Sequence, residues 1–297
     1  MLSPTNRGRR TAKRLFVAFQ TLAVLASLVV VVPVSAAVNT ALQLNGTTQN
    51  ATLGTASQLR SATFTVELWF KRTGAGVGTS TGSGGIASVI PLITKGRAEA
   101  ETAAADINYF FGIDATSGKL VGDFEEGTGG VGPAGLNHPV SGTAVIAANS
   151  VWHHAAATYD GTTWNLYLDG VLDGTLSVGQ PANAATNVLT SVGTARTTAG
   201  AVAGFFAGAV DEVRIWSVAR SLAQINATKD VEITAGQANL LGVWNLNEGT
   251  STVLNDSSGN SITGASLPTA TPPTWVPGFG PNTAPVATAD SYSTPRD

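Results

Sequence analysis

VWHHAAATYDGTTWNLYLDG, running from Val151 to Gly170, holds two of the chain's three histidines side by side, and its reading decides the fold. Asp160-Gly161 and Asp169-Gly170 break the stretch into short runs. Asp-Gly supplies the positive backbone angles that tight hairpins require. Side chains alternate between faces along a strand. On that reading His153 shares a face with Val151, Ala155 and Tyr159, and His154 shares the other with Trp152 and Ala156. Neighbouring imidazoles that diverge cannot close on one metal ion. A zinc site also needs three or four convergent ligands, and there are no cysteines to help. The pair is predicted to be sheet, with one ring packed inside and the other near the surface.

The same pattern extends in both directions. ATFTVELWFKR places Phe64, Val66, Leu68 and Phe70 on one face and Thr63, Thr65, Glu67, Trp69 and Lys71 on the other, the signature of a half-buried strand. INYFFGIDATSGKLVGDF reads as two strands joined by a turn at Asp114–Gly118. FFAGAVDEVRIW and LLGVWNLNEG add two more strands. One segment reads as helix: SLAQINATKD begins at Ser221 with Gln224 three residues on, a capping box. With 34 glycines and only 12% charged residues, the chain is predicted to be all-β, a two-sheet antiparallel sandwich with one short helix.

Residues 1–37 start with Arg7, Arg9, Arg10, Lys13 and Arg14, then run apolar to the small residues of VPVSAAV, the three-part layout of a secretion signal. Removing those five basic residues leaves 11 Lys/Arg against 19 Asp/Glu, a charge of about −8. Phosphate contacts need clustered basic groups, so nucleic acid is a poor partner. No later apolar run is long enough to insert in a membrane. The expected organisation is a signal over 1–37, a domain over 38–278, and a proline-rich linker with the start of another repeat over 279–297.

FTVELWFK, WHHAAATYDGTTWNLYLDG, FAGAVDEVRIWSVARSLAQI and LLGVWNLNEGTSTVLNDSSGNSITG occur in that order, and from Ala41 to Val276 the chain resembles laminin-G-like jelly-roll domains of the concanavalin A-like superfamily. NTAPVATADSYST resembles the opening of cadherin-like or bacterial immunoglobulin-like repeats. The resemblance implies a secreted or cell-surface jelly roll that binds carbohydrate or an extracellular protein, often with calcium, inside a larger adhesin-like chain. A passive spacer, and an accessory domain of a polysaccharide-degrading enzyme, are the rival readings.

Catalysis is not expected. Glycosidases need two carboxylates facing across a cleft, whereas the adjacent Asp211 and Glu212 are predicted to point to opposite faces. GTSTG (Gly78–Gly82) lacks the strand-to-helix turn of a nucleophile elbow. GTGGVG (Gly127–Gly132) is followed by Pro133 instead of a helix. Calcium takes six to eight oxygens. Asp211, inside a family motif, and Asp256, in the loop NDSSGN (Asn255–Asn260), are its candidate ligands, while Asn45 replaces an aspartate usual in relatives. Alternation puts Trp69 and Tyr167 on polar faces, which makes them the candidate ligand-binding aromatics. Asp256 also has a plainer reading, as a turn residue bonded to its own backbone.

Overall fold

Short alternating segments punctuated by Asp-Gly and Gly turns build sixteen strands and one helix among the residues described by the computed structural model, namely 39–55, 57–97, 107–129, 135–197, 199–263, 265–268 and 270–280. The predicted export signal and the repeat-like tail after residue 280 lie outside the described residues. In chain order the first elements are β1 (Thr40–Asn45), β2 (Ala51–Leu53), β3 (Phe64–Arg72), β4 (Val89–Lys95), β5 (Tyr109–Asp114) and β6 (Lys119–Asp123). Then come β7 (Val140–Val145), β8 (Trp152–Tyr159), β9 (Thr163–Leu168), β10 (Val171–Ser177), β11 (Thr190–Val192) and β12 (Ala195–Arg196). The last are β13 (Val202–Ala203), β14 (Ala207–Trp216), α1 (Leu222–Thr228), β15 (Leu240–Trp244) and β16 (Thr274–Pro277).

Fourteen of the strands form two antiparallel sheets, and β12 and β13 pair as a separate two-stranded ribbon. The larger runs β10-β9-β8-β3-β14-β1-β16, with β15 also pairing to β14; the smaller runs β2-β11-β4-β5-β6-β7. Two strands share the far edge of β14. Its first half, from Ala207 to Val210, pairs with β1, and its second half, from Val213 to Trp216, pairs with β15. β1 and β16 are antiparallel, with Thr40 opposite Pro277.

Local turn chemistry sets the hairpins. At the β9–β10 turn Asp169 and Gly170 have φ of 51° and 74°, the two positive angles a two-residue hairpin needs. The β8–β9 connection differs from the predicted tight turn. Tyr159 pairs with Trp164 across four residues, only Gly161 (φ 94°) is left-handed, and Asp160 Oδ1 accepts from the N–H groups of Thr162 and Thr163. At the β5–β6 turn Asp114 Oδ1 does the same for Thr116 and Ser117, and Gly118 (φ 71°) closes it.

The core lies between the sheets. Phe64, Val66, Leu68 and Phe70 face inward from β3 and are fully buried, as the alternation predicts. Phe64 sits 5.2 Å from Tyr109 and 5.4 Å from Trp164 (ring centroids), and Phe124 is 4.6 Å from Tyr159. Burying each such ring contributes about 1.5–3 kcal/mol, and edge-to-face contacts add to it.

Candidate functional site

The second face of β3 is also buried, against the half-buried expectation. Its polar side chains receive the segment that follows β14. The side chain of Ser221 accepts from Gln224 N–H, and Gln224 reaches back to the Ser221 N–H at 2.8 Å, so the predicted capping box starts α1. Ile225 then packs on Ala156 and Tyr167. The last carbonyls of a short helix have no partner inside it, and the sheet supplies them. Arg214 donates to Thr228 O (2.8 Å) and Val231 O (2.6 Å), Trp69 Nε1 to Lys229 O (2.6 Å), and Arg220 to Gln224 O (2.8 Å). Beneath them Glu67 Oε1 accepts from Trp216 Nε1 (2.8 Å) and Arg220 Nη1 (3.0 Å), while Arg220 lies 4.1 Å above the Trp216 ring.

This roof corrects the two ligand-binding aromatics. Trp69 and Tyr167 lie on the outer face as predicted, yet each is only 6% exposed. Tyr167 is under Ile225. Trp69 is under Phe279, their rings 3.3 Å apart and 10° from parallel. Neither offers a free face to a sugar. The polar face of the strands is here the docking surface for a helix and for Phe279 beyond β16.

A second correction concerns Asp211 and Glu212. The register of β14 against β3 slips between Asp211 and Arg214, and Glu212 has φ 50°. This β-bulge puts one extra residue on β14. Val213 still faces the core, while Asp211, Glu212 and Arg214 all serve the outer face, where Glu212 pairs with Arg214 at 3.0 Å. Burial pushes the Asp211 carboxyl up to about 8 and Glu212 up to about 7, the latter opposed by the Arg214 charge.

Asp211 and Asp256 do not form a shared site. Asp211 accepts from Phe279 N–H (2.8 Å) and Glu212 N–H (2.9 Å). Asp256 accepts from Val243 N–H (3.1 Å), Ser258 N–H (2.9 Å), Ser258 Oγ (2.8 Å) and Ile262 N–H (3.0 Å). Every oxygen of the two carboxylates holds a donor, so the geometry at Asp256 is that of a turn residue and fits a calcium ligand poorly. Asn45 likewise uses Oδ1 to accept from three successive N–H groups, those of Thr47, Thr48 and Gln49. The histidines diverge. His153 lies 2.7 Å from Asp169 Oδ2 near the surface. His154 is buried beside Glu67 (3.6 Å), and desolvation, with Arg214, Lys229 and Arg220 near, lowers it to about 3.

Two open cavities meet at the edge of this roof, and both include Glu232. The larger, about 350 Å³, is lined by Asn39, Glu212, Arg214, Lys229, Asp230, Glu232 and Phe279 among others. The smaller, about 220 Å³, is lined by Asn245, Leu246, Asn247, Glu248, Asn255 and Ser257 besides Glu232. In the larger, Arg214 Nε is buried without a hydrogen-bond partner. Sequence reasoning missed Phe279 and Glu232, which lie in segments with no strong periodicity. Their signal was the chain's return to the sheet, which only the fold reveals.

With the geometry in place, the sequence match is decisive. A laminin-G-type family described as the concanavalin A-like lectin/glucanases superfamily matches residues 45–226. The chain belongs to that superfamily. No protein of curated function matches it. Of solved members with the concanavalin A-like layout, a candidate carbohydrate-binding protein from Bacteroides ovatus superposes with a TM-score of 0.54 at 15% identity, covering 82% of this chain and 61% of its own. The chain therefore spans less than two thirds of that protein. The heptameric SAP-like pentraxin of Limulus polyphemus follows at 0.49 and 14% identity, over 78% of this chain and 95% of its own. The CBM40 of the Ruminococcus gnavus IT-sialidase, bound to α2,3-sialyllactose, scores 0.44 at 15% identity, over 63% and 96%. At 15% identity the Bacteroides match shows the fold alone, and function must be argued from the site. Among the described residues no helix is long and apolar enough to cross a membrane.

Proposed function

We propose that this chain is an exported, non-catalytic module that binds carbohydrate in the 350 Å³ cavity over the outer face of the larger sheet, as part of a larger surface protein. The lining is the observation that carries this reading. Carboxylates (Glu212, Asp230, Glu232), an amide (Asn39), a guanidinium (Arg214) and one aromatic ring (Phe279) are the groups that hold sugar hydroxyls and stack on a sugar face. The volume lies at the lower end of the range for small-ligand sites, about 300–1,000 Å³. Superfamily membership and the carbohydrate-binding description of the Bacteroides protein support it. The non-catalytic reading is supported by the state of the two adjacent acids: Glu212 is ion-paired with Arg214, and both Asp211 oxygens accept from backbone N–H groups. The secretion signal predicted over 1–37 supports export.

A glycan array followed by titration calorimetry tests the proposal, with Asp230→Ala and Phe279→Ala as variants. Asp230 is exposed, so its loss leaves the fold intact. The expected result is a defined glycan bound by the wild type, at least about tenfold weaker in both variants. A wild-type domain that binds no glycan refutes the proposal in favour of a spacer, and binding indifferent to both variants moves the site elsewhere.

A further inference from the structure

A third cavity, about 290 Å³, lies beside β2, the edge strand of the smaller sheet, between the β12–β13 ribbon and residues 266–268. Thr52 and Ser266 are locked together there, each backbone N–H donating to the other's carbonyl at 3.0 Å. Arg196 is the one charged side chain in the lining. Arg214, Arg220 and Arg72 show the ordinary ways of providing for a covered guanidinium. The first two pair with Glu212 and Glu67, and Arg72 donates from all three nitrogens to carbonyls. Arg196 has neither provision. Its Nη1 donates to Gly200 O (3.0 Å), Nη2 makes only a long contact to Asn50 Oδ1 (3.4 Å), and Nε is shielded from solvent with no hydrogen-bond partner. Among the described residues no carboxylate compensates its charge, and burial holds the guanidinium below the usual arginine value. A covered cation without a counter-charge is costly to a fold, and an anionic ligand removes that cost.

From this arrangement we propose that the cavity binds the carboxylate of an acidic sugar, a uronic acid, across the Nε–Nη2 edge of Arg196. These two nitrogens lie along one edge of the guanidinium plane, which receives a carboxylate through two parallel N–H···O bonds. The Asn50 amide at this edge is held only by contacts of 3.4 Å, the one from Arg196 Nη2 and its own donation to Thr48 O. It turns aside to admit the ligand. A single guanidinium balances a single negative charge, and its flat fork matches a planar carboxylate better than a doubly charged phosphate. The rest of the lining suits the rest of the ring. The Thr52 and Ser266 hydroxyls are joined by a long 3.3 Å contact and can turn to sugar hydroxyls, while Val202 and Pro268 offer apolar surface to C–H groups. The volume sits just below the range of about 300–1,000 Å³ for small-ligand sites, which is room for one ring. This site shares no residue with the cavity beside Phe279 and stands whether or not that one binds carbohydrate.

The full chain is titrated with galacturonic acid while its arginine Nε–H signals are followed by NMR, the Arg196 signal being the one that Arg196→Lys removes. A saturable shift of that signal is expected. Galactose lacks the charge and acetate lacks the hydroxyls, and each should bind at least about tenfold more weakly. Arg196→Lys keeps the charge and loses the fork; calorimetry should show binding at least about tenfold weaker, with an unchanged circular-dichroism spectrum. Asn50→Ala clears the edge and should bind at least as tightly as the wild type. Asp230→Ala and Phe279→Ala should leave galacturonic acid binding as it is. An Arg196 signal that galacturonic acid does not move overturns the proposal, as does full affinity in Arg196→Lys or loss of binding in Asp230→Ala. Galactose or acetate binding as tightly as galacturonic acid overturns the assignment to a uronic acid, and weaker binding in Asn50→Ala overturns the displacement of the amide.

Discussion

Glu67→Ala tests whether the roof over the larger sheet is held by its buried charges. Glu67 is fully buried and accepts two hydrogen bonds on Oε1, from Trp216 and Arg220. Removing one partner of a buried ion pair costs about 3–5 kcal/mol, because the other charge is left uncompensated. Arg220 retains Thr228 Oγ1 (3.0 Å), Gln224 O and the Trp216 ring, which places the loss at the low end. The expected destabilisation is about 3 kcal/mol, or about 6–12 °C in Tm for a domain of this size. Glu67→Gln keeps an acceptor at the same place and offers His154 a donor, so it should lose only about 1 kcal/mol. Urea denaturation at neutral pH, with an unchanged slope, measures both. A loss below about 1 kcal/mol for the alanine variant, or equal losses for both variants, refutes the reasoning.

Three further outcomes follow from single features. His154 is held neutral down to about 3, whereas its ordinary value is 6.5; between those values the unfolded chain takes up a proton that the native chain refuses, so stability falls as pH drops through that window. His154→Gln should flatten that acid limb in a series of urea midpoints, and a limb identical to wild type would count against it. At Gly112 a Cβ would lie 2.4 Å from Ile90 O, so Gly112→Ala should push β4 and β5 apart and lower stability by about 1–3 kcal/mol in a thermal melt. Ser221→Ala removes the helix cap and should cost about 1 kcal/mol by the same assay, with calorimetric glycan binding weakened because α1 leads directly into the cavity wall at Lys229 and Asp230.

What could be read from the sequence divides by distance along the chain. The Asp169-Gly170 hairpin, the Asp114–Gly118 turn and the Ser221 cap were legible because each depends on a few adjacent residues. The inward face of β3 was legible because alternation alone defines it. The outer face was not: Glu67 meets Arg220 across 153 positions, and nothing local distinguishes a polar strand face that is wet from one that a helix covers. Trp69 and Tyr167 are covered in this way, although alternation places them on a polar face. The bulge at Glu212 was equally hidden, since a glutamate at φ 50° follows no local preference, and it reversed the expected divergence of Asp211 and Glu212. Within NDSSGN, Asp256 bonds inward to Val243 N–H because β15 returns beside the loop, which composition does not reveal.

The pairing of β1 with β16 has a mechanical meaning. Thr40 and Pro277 face one another at the end where chain enters and leaves, so tension between a preceding and a following segment loads this ladder from its tip, one bond after another, instead of shearing it along its length. A ladder that unzips yields at low force. The first event under load is then the departure of the strand that leads to Phe279, which strips the lid from Trp69 and dismantles one wall of the cavity while the aromatic layer between the sheets stays intact. A surface protein built this way would let go of its ligand when pulled, well before it unfolds.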